Sequence, residues 1–412
     1  MASPFSLADR RAFAEPRDVA FYQDPYAFYA ELHARSPTFV WENYGHWCFA
    51  GFKEVNALLR DKRFGRQILH LMTREELGMP EPKLHTAAFD QTEKYSLLAL
   101  EPPAHTRLRT LVNRAFVSRH VEQLRPRIGH LANELIDTFA SDGQAELLKA
   151  FAAPLPAIII AEMIGLPVEM APQLLNWSNR MVAMYMFGAT EAVEHDANRA
   201  SIEFMDYLRT VIAERWRRPK DDLLTHMLTA DPVDGQKLLE EEVISTAILL
   251  LNAGHEATVH TTGNGIKAIL ESGIDPKVLF ADEKQTEATV EECLRYDAPL
   301  HMFTRYALGD VTLEGGLSFK KGDVIGLMLA AANRDPRRFA NAGTFDPFRT
   351  DGQNVTFGAG IHFCIGAPLA RIELEVAMKT LFERLPGLRL AETPVYKDVY
   401  HFHGLDRLMV EW

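Results

Sequence analysis

The chain has 412 residues, is 47% hydrophobic and carries a formal charge of −12 at neutral pH. Its three cysteines, Cys48, Cys293 and Cys364, are odd in number and far apart, which excludes a disulfide framework and any CxxC zinc or redox site and fits a reducing compartment. The acidic balance argues against nucleic acid as the main partner, because phosphate binding needs a clustered excess of Lys and Arg.

The first 22 residues carry a charge every few positions and no apolar run, so they do not read as a signal peptide. A cytoplasmic protein is expected, with no membrane attachment. Asp24-Pro25 opens a helix that runs to His33, in N-cap then first-turn order. Strands are expected at Thr38–Trp41 and Trp47–Phe49, turned at Asn43 to Gly45. Helices follow at Pro103–Phe116 and Val121–Ala140. The most apolar stretch, Pro154–Val168, contains Glu162 and the helix breakers Pro156 and Gly165, and is too short and interrupted to span a bilayer. Further helices are expected at Ser201–Arg217 and Glu240–Ser272. Short strands close the pattern at Arg305–Leu313, Leu317–Phe319 and Asp323–Leu327. No repeat or low-complexity linker divides the chain. The expectation is one domain over residues 1–412, mainly α with a small β region. The sequon at Asn354-Val355-Thr356 carries no meaning for an unsecreted chain.

Two places break local rules. The segment Glu240–Ser272 would form a helix about 50 Å long, and its middle, AILLLNAGHEAT, is apolar nearly all round, as in a helix buried on every side. Gly254 and Glu256 are both costly there. They mark either a functional site or a packing glycine with a salt-bridged acid. The second place is Phe357-Gly358-Ala359-Gly360-Ile361-His362-Phe363-Cys364-Ile365-Gly366, followed by a helical run from Ala367 to Arg384. Its glycines permit a tight turn and close approach to a flat ligand. Cys364 then precedes a helix start, where free amides and the dipole favour a thiolate. Such a thiolate is a metal ligand or, with a histidine base in reach, a nucleophile. Two decoys fall away. His255 and His260 lie at i and i+5, about 140° apart on a helix, and cannot share a zinc. Gly358-Ala359-Gly360 lacks the third glycine and the βαβ setting of a dinucleotide fingerprint.

The loop Phe357–Gly366 resembles, position for position, the FGxGxHxCxG haem-binding loop of the cytochrome P450 superfamily. Glu292-Cys293-Leu294-Arg295 is similar to its ExxR pair, and the Arg349 segment Phe345-Asp346-Pro347-Phe348-Arg349 to the one that completes that ion-pair cluster. Ala253-Gly254-His255-Glu256 resembles the oxygen-groove motif. Pro102-Pro103-Ala104-His105-Thr106-Arg107-Leu108-Arg109 resembles the helix beneath the haem of soluble bacterial members. The resemblance spans nearly the whole chain. It implies a single triangular haem-thiolate monooxygenase fold and haem b (iron protoporphyrin IX) as cofactor.

The roles implied follow residue by residue. Cys364 is the axial thiolate and metal ligand. His362, His105, Arg109 and Arg305 face the haem propionates. Phe357 and Gly366 belong to the cofactor loop. Glu292, Arg295 and Arg349 are structural. Glu256 relays protons. One departure stands out: family members usually follow the acid with Thr, and this chain has Ala257, with Thr258 about 100° further round the helix. The hydroxyl's part in proton delivery then falls to the substrate or to an ordered water. A pocket lined by Met184, Phe187, Asn252, Ala253, Leu300, Met302 and His403 implies a small-to-medium hydrophobic substrate, a terpenoid or an aromatic compound. The 412 residues are taken up by the haem domain, so electrons are expected from a separate [2Fe–2S] ferredoxin and its reductase. Arg107, Arg109, Arg114, Arg119, Arg125 and Arg127 offer a basic patch for docking it. The expected partners are therefore ferredoxin, dioxygen and the substrate, with the chain a monomer. The alternatives are a peroxide-driven oxidase and a haem-thiolate protein that binds a ligand without turnover.

Overall fold

The computed structural model describes residues 5–115, 121–186, 188–233 and 235–412. The expectation Phe187 and the patch residue Arg119 lie outside the described residues. The fold is organised around the helix Glu240–Ser272, whose limits agree with those read from the sequence. Three acids in its first turn suit the positive end of the dipole, and the Leu239 amide donates to Glu242 Oε2 (2.9 Å). Gly273, at φ +68°, ends it. This central helix packs against helices Pro154–Ile164, Ala171–Val182, Glu283–Tyr296 and Ala367–Arg384. The apolar stretch after Pro154 is one uninterrupted helix. Pro154 and Pro156 lie in its first turn, where no amide is owed to the ladder, and Gly165 (φ +97°) is its cap rather than an internal break.

The β region is larger than expected. Seven strands pair in the order β1-β2-β3-β4-β10-β7-β5: β1 Phe5–Ala8, β2 Arg11–Ala14, β3 Thr38–Trp41, β4 His46–Phe49, β5 Phe64–Gly65, β7 Phe303–Ala307 and β10 Val324–Leu327. A second sheet joins β6 Gln144–Glu146 to β11 Arg389–Leu390 and β12 Met409–Glu411, and β8 Val311–Thr312 pairs with β9 Ser318–Phe319. The β1–β2 hairpin escaped the sequence reading because its turn, Asp9-Arg10, takes positive φ values (48° and 62°) without a glycine to signal them. The helix Glu191–Arg217 starts ten residues before the expected one, because the Thr190 hydroxyl caps the Val193 amide (3.4 Å). In the other direction, the helix expected from Val121 is described as Arg125–Asp137, with Pro126 in its first turn. The main apolar core lies between the helices, and a second one, rich in aromatic rings (Phe21, Phe28, Tyr29, Phe39, Trp41), sits under the large sheet. Among the described residues no helix is long and apolar enough to cross a membrane.

Candidate active site

The cysteine loop is built by its glycines and by one backbone bond. Gly358 and Gly360 both take φ near +70°, and a Cβ at Gly360 would stand 2.6 Å from the Leu59 carbonyl oxygen, so neither a side chain nor another backbone path fits. The Cys364 amide donates to the Phe357 carbonyl (3.0 Å) and closes the loop. Gly366 then begins the helix Ala367–Arg384. Arg109, from the helix Ala104–Ala115, donates through Nη2 to the Phe363 carbonyl (2.6 Å), which anchors the residue just before the cysteine. Burial pushes the Cys364 thiol up, against the opposing pull of the Gly366 and Ala367 amides and the Arg109 and Arg371 charges. The helix start and the two guanidiniums thus pull the thiol against the effect of burial.

His362 does not face the sulfur. Its Nε2 lies 3.3 Å from Glu101 Oε1, and its ring packs against His105 at 4.4 Å. No Cys–His dyad forms here, so the nucleophile reading of the loop is set aside. Glu101 also accepts the Arg66 amide. Arg66 Nη1 donates to the Thr304 carbonyl (3.1 Å), which Arg305 Nη1 also contacts (2.9 Å), and both guanidiniums lie over the Phe303 ring. Neither Arg66 nor Glu101 carries a motif that sequence reasoning could have caught. Burial would raise the Glu101 carboxyl, but hydrogen bonds from His362 and the Arg66 amide hold it below the usual range. Burial, with the charges of His362 and Arg109, brings His105 down to about 4. Burial and the Arg66 charge bring Arg305 down to about 9. The buried His105 Nε2 has no hydrogen-bond partner.

This cluster tests whether a haem fits. Two guanidiniums and two imidazoles surround one carboxylate, and buried cations without counter-ions are expensive. The surplus of donors suits a dianionic ligand edge such as the two propionates of haem b, beside a sulfur free to bind iron. The residues present fit that cofactor.

On the central helix, Ala253 is exposed and Ala257, one turn on, is half-buried, although most of the surrounding helix is sealed. This stripe borders space that solvent can reach inside the helical layer. Glu256 Oε1 receives His260 Nε2 at 3.0 Å, and His255 Nδ1 stands 3.8 Å from Oε2. Burial alone would raise the Glu256 carboxyl; the His260 hydrogen bond and the charges of His260, His255 and Lys397 bring it down to about 2. It is an ionised acid at neutral pH. Glu256 thus has a close partner in His260 and is half-buried beside the open stripe. The Thr258 hydroxyl is spent on the Gly254 carbonyl (2.7 Å), so it does not replace the hydroxyl that Ala257 lacks.

The expected structural trio is assembled. Arg295 Nε and Nη2 donate to Glu292 Oε2 and Oε1 (2.7 and 2.8 Å), and Arg349 Nε donates to Oε2 (2.8 Å). The pocket expectations divide. Leu300 and Met184 are half-buried. Met302 is buried in the aromatic core under the sheet. Asn252 is buried and turned to Met181 Sδ (3.9 Å) across a helix interface, about 100° from the open stripe. His403 is buried in a polar cluster with Asp297 and His301. None of the three lies on the open stripe of the central helix: Asn252 faces a helix interface, and Met302 and His403, expected from the family resemblance, belong to other parts of the chain. The basic patch is also revised. Arg107 pairs with Glu242, Arg125 with Glu375 (3.0 Å), Arg127 with Glu162 (2.7 Å), and Arg109 with the Phe363 carbonyl. Arg114 is left exposed.

A largely helical fold with a cysteine loop under a long central helix and a cationic cradle beside it defines a haem-thiolate enzyme. Residues 283–386 match the family model described as Cytochrome P450. The chain is 35% identical over 405 residues to the polyketide biosynthesis cytochrome P450 PksS of Bacillus subtilis (strain 168), covering 96% of this chain and 97% of that protein. It is 33% identical over 396 residues to the vitamin D(3) 25-hydroxylase of Pseudonocardia autotrophica, covering 95% and 94%. Among solved structures it is similar to P450BioI in complex with hexadec-9Z-enoic acid ligated acyl carrier protein, with TM-score 0.87, 33% identity, and 95% and 100% of the two chains covered. The chain belongs to the cytochrome P450 family and is a haem-thiolate monooxygenase with haem b as its cofactor.

Proposed function

We propose that the chain is a single-domain monooxygenase in which Cys364 would hold the haem iron and the Arg66–Glu101–His105–His362–Arg305 cluster would hold the propionates. The cationic surplus in that cluster is the observation that carries the reading. Haem b supplies the iron centre that activates dioxygen and transfers one oxygen atom to a substrate C–H bond. Around it, Arg109 fixes the Phe363 carbonyl and so the position of the sulfur. Glu256 holds a carboxylate on the open stripe, with His260 as its partner through Nε2. The carboxylate can take up a proton and release it toward the reacting site, while the His260 Nε2 hydrogen bond holds Oε1 in place.

The substrate is a small-to-medium hydrophobic molecule, a terpenoid or an aromatic compound, held against Ala253, Ala257, Leu300 and Met184. Relatives named for vitamin D(3) and for a carrier-bound hexadecenoic acid support an apolar cargo of varied shape. A polar group on the substrate, or a water it orders, takes the part of the hydroxyl that Ala257 lacks. Electrons come from a separate [2Fe–2S] ferredoxin and reductase. With four of the patch arginines engaged internally, docking rests on Arg114 and its surroundings more than on the whole run.

A spin-shift screen of ferric protein against a compound library, followed by turnover with NADH and a surrogate ferredoxin system, tests the reading. Ligands that displace water from the iron and are then oxidised are expected. Oxidation with peroxide but not with reduced ferredoxin would refute the electron route. Ala257→Thr is expected to raise product per NADH for substrates without a polar group and to leave polar ones unchanged. An equal rise for every substrate would refute the substrate's part in proton delivery.

A further inference from the structure

Near the start of β7, three buried side chains from distant parts of the chain converge. Asp297 (4% exposed) follows the helix Glu283–Tyr296, His301 (0%) precedes β7, and His403 (2%) comes from the loop between β11 and β12. One ligand-capable atom from each falls within a common 4.8 Å. His403 Nε2 stands 3.4 Å from Asp297 Oδ1, and the two imidazole rings are 4.5 Å apart. Neither His301 Nε2 nor His403 Nε2 has a hydrogen-bond partner, though both are sealed from solvent. The Ala298 carbonyl lies beside the His301 ring without closing a bond to that nitrogen. Two unsatisfied buried nitrogens are costly, and such groups in a native fold call for an explanation.

The surroundings are arranged as metal ligands usually are, with the outer atoms of each ligand already held. Tyr29 Oη binds His301 Nδ1 at 2.6 Å, which leaves Nε2 free. Tyr26 Oη donates to Asp297 Oδ1 (2.8 Å) and Tyr396 Oη to Oδ2 (2.5 Å). Asn264 of the central helix donates to the backbone carbonyls of both Asp297 and His403 (3.2 and 3.1 Å), and so fixes two ligands from one side chain. The 3.4 Å separation equals the ligand–ligand edge of a tetrahedron with metal–ligand bonds of about 2.1 Å.

We propose that Asp297, His301 and His403 form a structural site for a borderline divalent cation of the zinc class, with a water or a neighbouring phenol as fourth ligand. The ion ties the C-terminal loop to the end of the helix Glu283–Tyr296 and to the root of β7, and is taken up as the chain folds around it. Nitrogen and oxygen donors in this ratio favour zinc over calcium or magnesium, which take oxygen alone.

The test uses holoenzyme purified from cultures supplemented with Zn2+, with metal analysis of the gel-filtered protein. One zinc per haem is expected, falling at least tenfold in His403→Gln and in Asp297→Asn. His195→Gln is the control, because His85, Glu191 and His195 form an exposed group that could also collect zinc; it is expected to leave the stoichiometry unchanged. If the buried variants fail to accumulate, zinc-edge X-ray absorption of the parent protein decides. Two imidazole nitrogens plus oxygen at about 2.0–2.1 Å support the site. No retained zinc, zinc lost only in His195→Gln, zinc undiminished in both buried variants, or a sulfur-containing shell would each overturn it. These readouts do not depend on turnover, so they stand apart from the reading of the haem site.

Discussion

Glu292→Gln is the most demanding perturbation of the fold beneath the cofactor loop. The Glu292 carboxylate is 2% exposed. Its Oε2 accepts from Arg295 Nε and Arg349 Nε, and its Oε1 from Arg295 Nη2 and the Asp346 amide. Whichever oxygen becomes the glutamine amide, two donors then face a donor. Arg295, equally buried, keeps one bond to the oxygen that remains and its bonds to the carbonyls of Asn333, Ala342 and Thr344, but has no counter-ion. Removing one partner of a buried pair costs about 3–5 kcal/mol, against a total stability of about 5–15 kcal/mol. The variant should therefore lose roughly a fifth or more of its margin, read as a lower urea midpoint and as less haem-loaded protein per milligram. Lys320→Ala is the contrast. Lys320 pairs with Asp310 at 2.6 Å, shorter than any bond to Glu292, yet both groups lie in solvent, so no measurable change is expected. A Glu292→Gln protein as stable and as fully loaded as Lys320→Ala would refute the argument that burial, not distance, gives the trio its value.

Other expectations follow from single groups. Glu373 is buried with Oε1 unpartnered, and burial raises its carboxyl to about 8. The folded state then keeps a proton that the unfolded chain releases above its ordinary value, so stability falls as pH rises from about 4.5 to about 8, by at most about 1.4 kcal/mol per pH unit. Glu373→Gln should flatten that slope in thermal midpoints measured across the window; an unchanged slope would count against a buried protonated acid. Gly360→Ala combines a left-handed backbone, worth about 1–2 kcal/mol, with a Cβ driven into the Leu59 carbonyl, and should abolish haem loading. Gly143→Ala, with a similar φ of +70° and open space around it, should lose only the backbone part and load normally.

What the sequence revealed and what it hid divide along a physical line. The central helix, the cysteine loop and the Glu292–Arg295 pair are local patterns, in which spacing within a few residues sets the geometry. His260 as partner of Glu256 is equally local, at i and i+4 on one helix face. Arg66 and Glu101 were not legible, because their meaning lies in contacts to Thr304 and His362, more than 200 residues away. The basic run Arg107 to Arg127 reads as a surface patch in one dimension. The partners that consume it, Glu162, Glu242 and Glu375, come from three other helices. Asp297, His301 and His403 carry no shared motif and meet only because the C-terminal loop returns to β7.

The central claim is that the Cys364 sulfur holds the haem iron. Cys364→Ser, purified and reduced under carbon monoxide, tests it most directly, with far-ultraviolet circular dichroism to show that the helices remain. The account predicts loss of the thiolate band at about 450 nm and of turnover in a folded protein. A serine variant that keeps that band and oxidises substrate at the parent rate would contradict it.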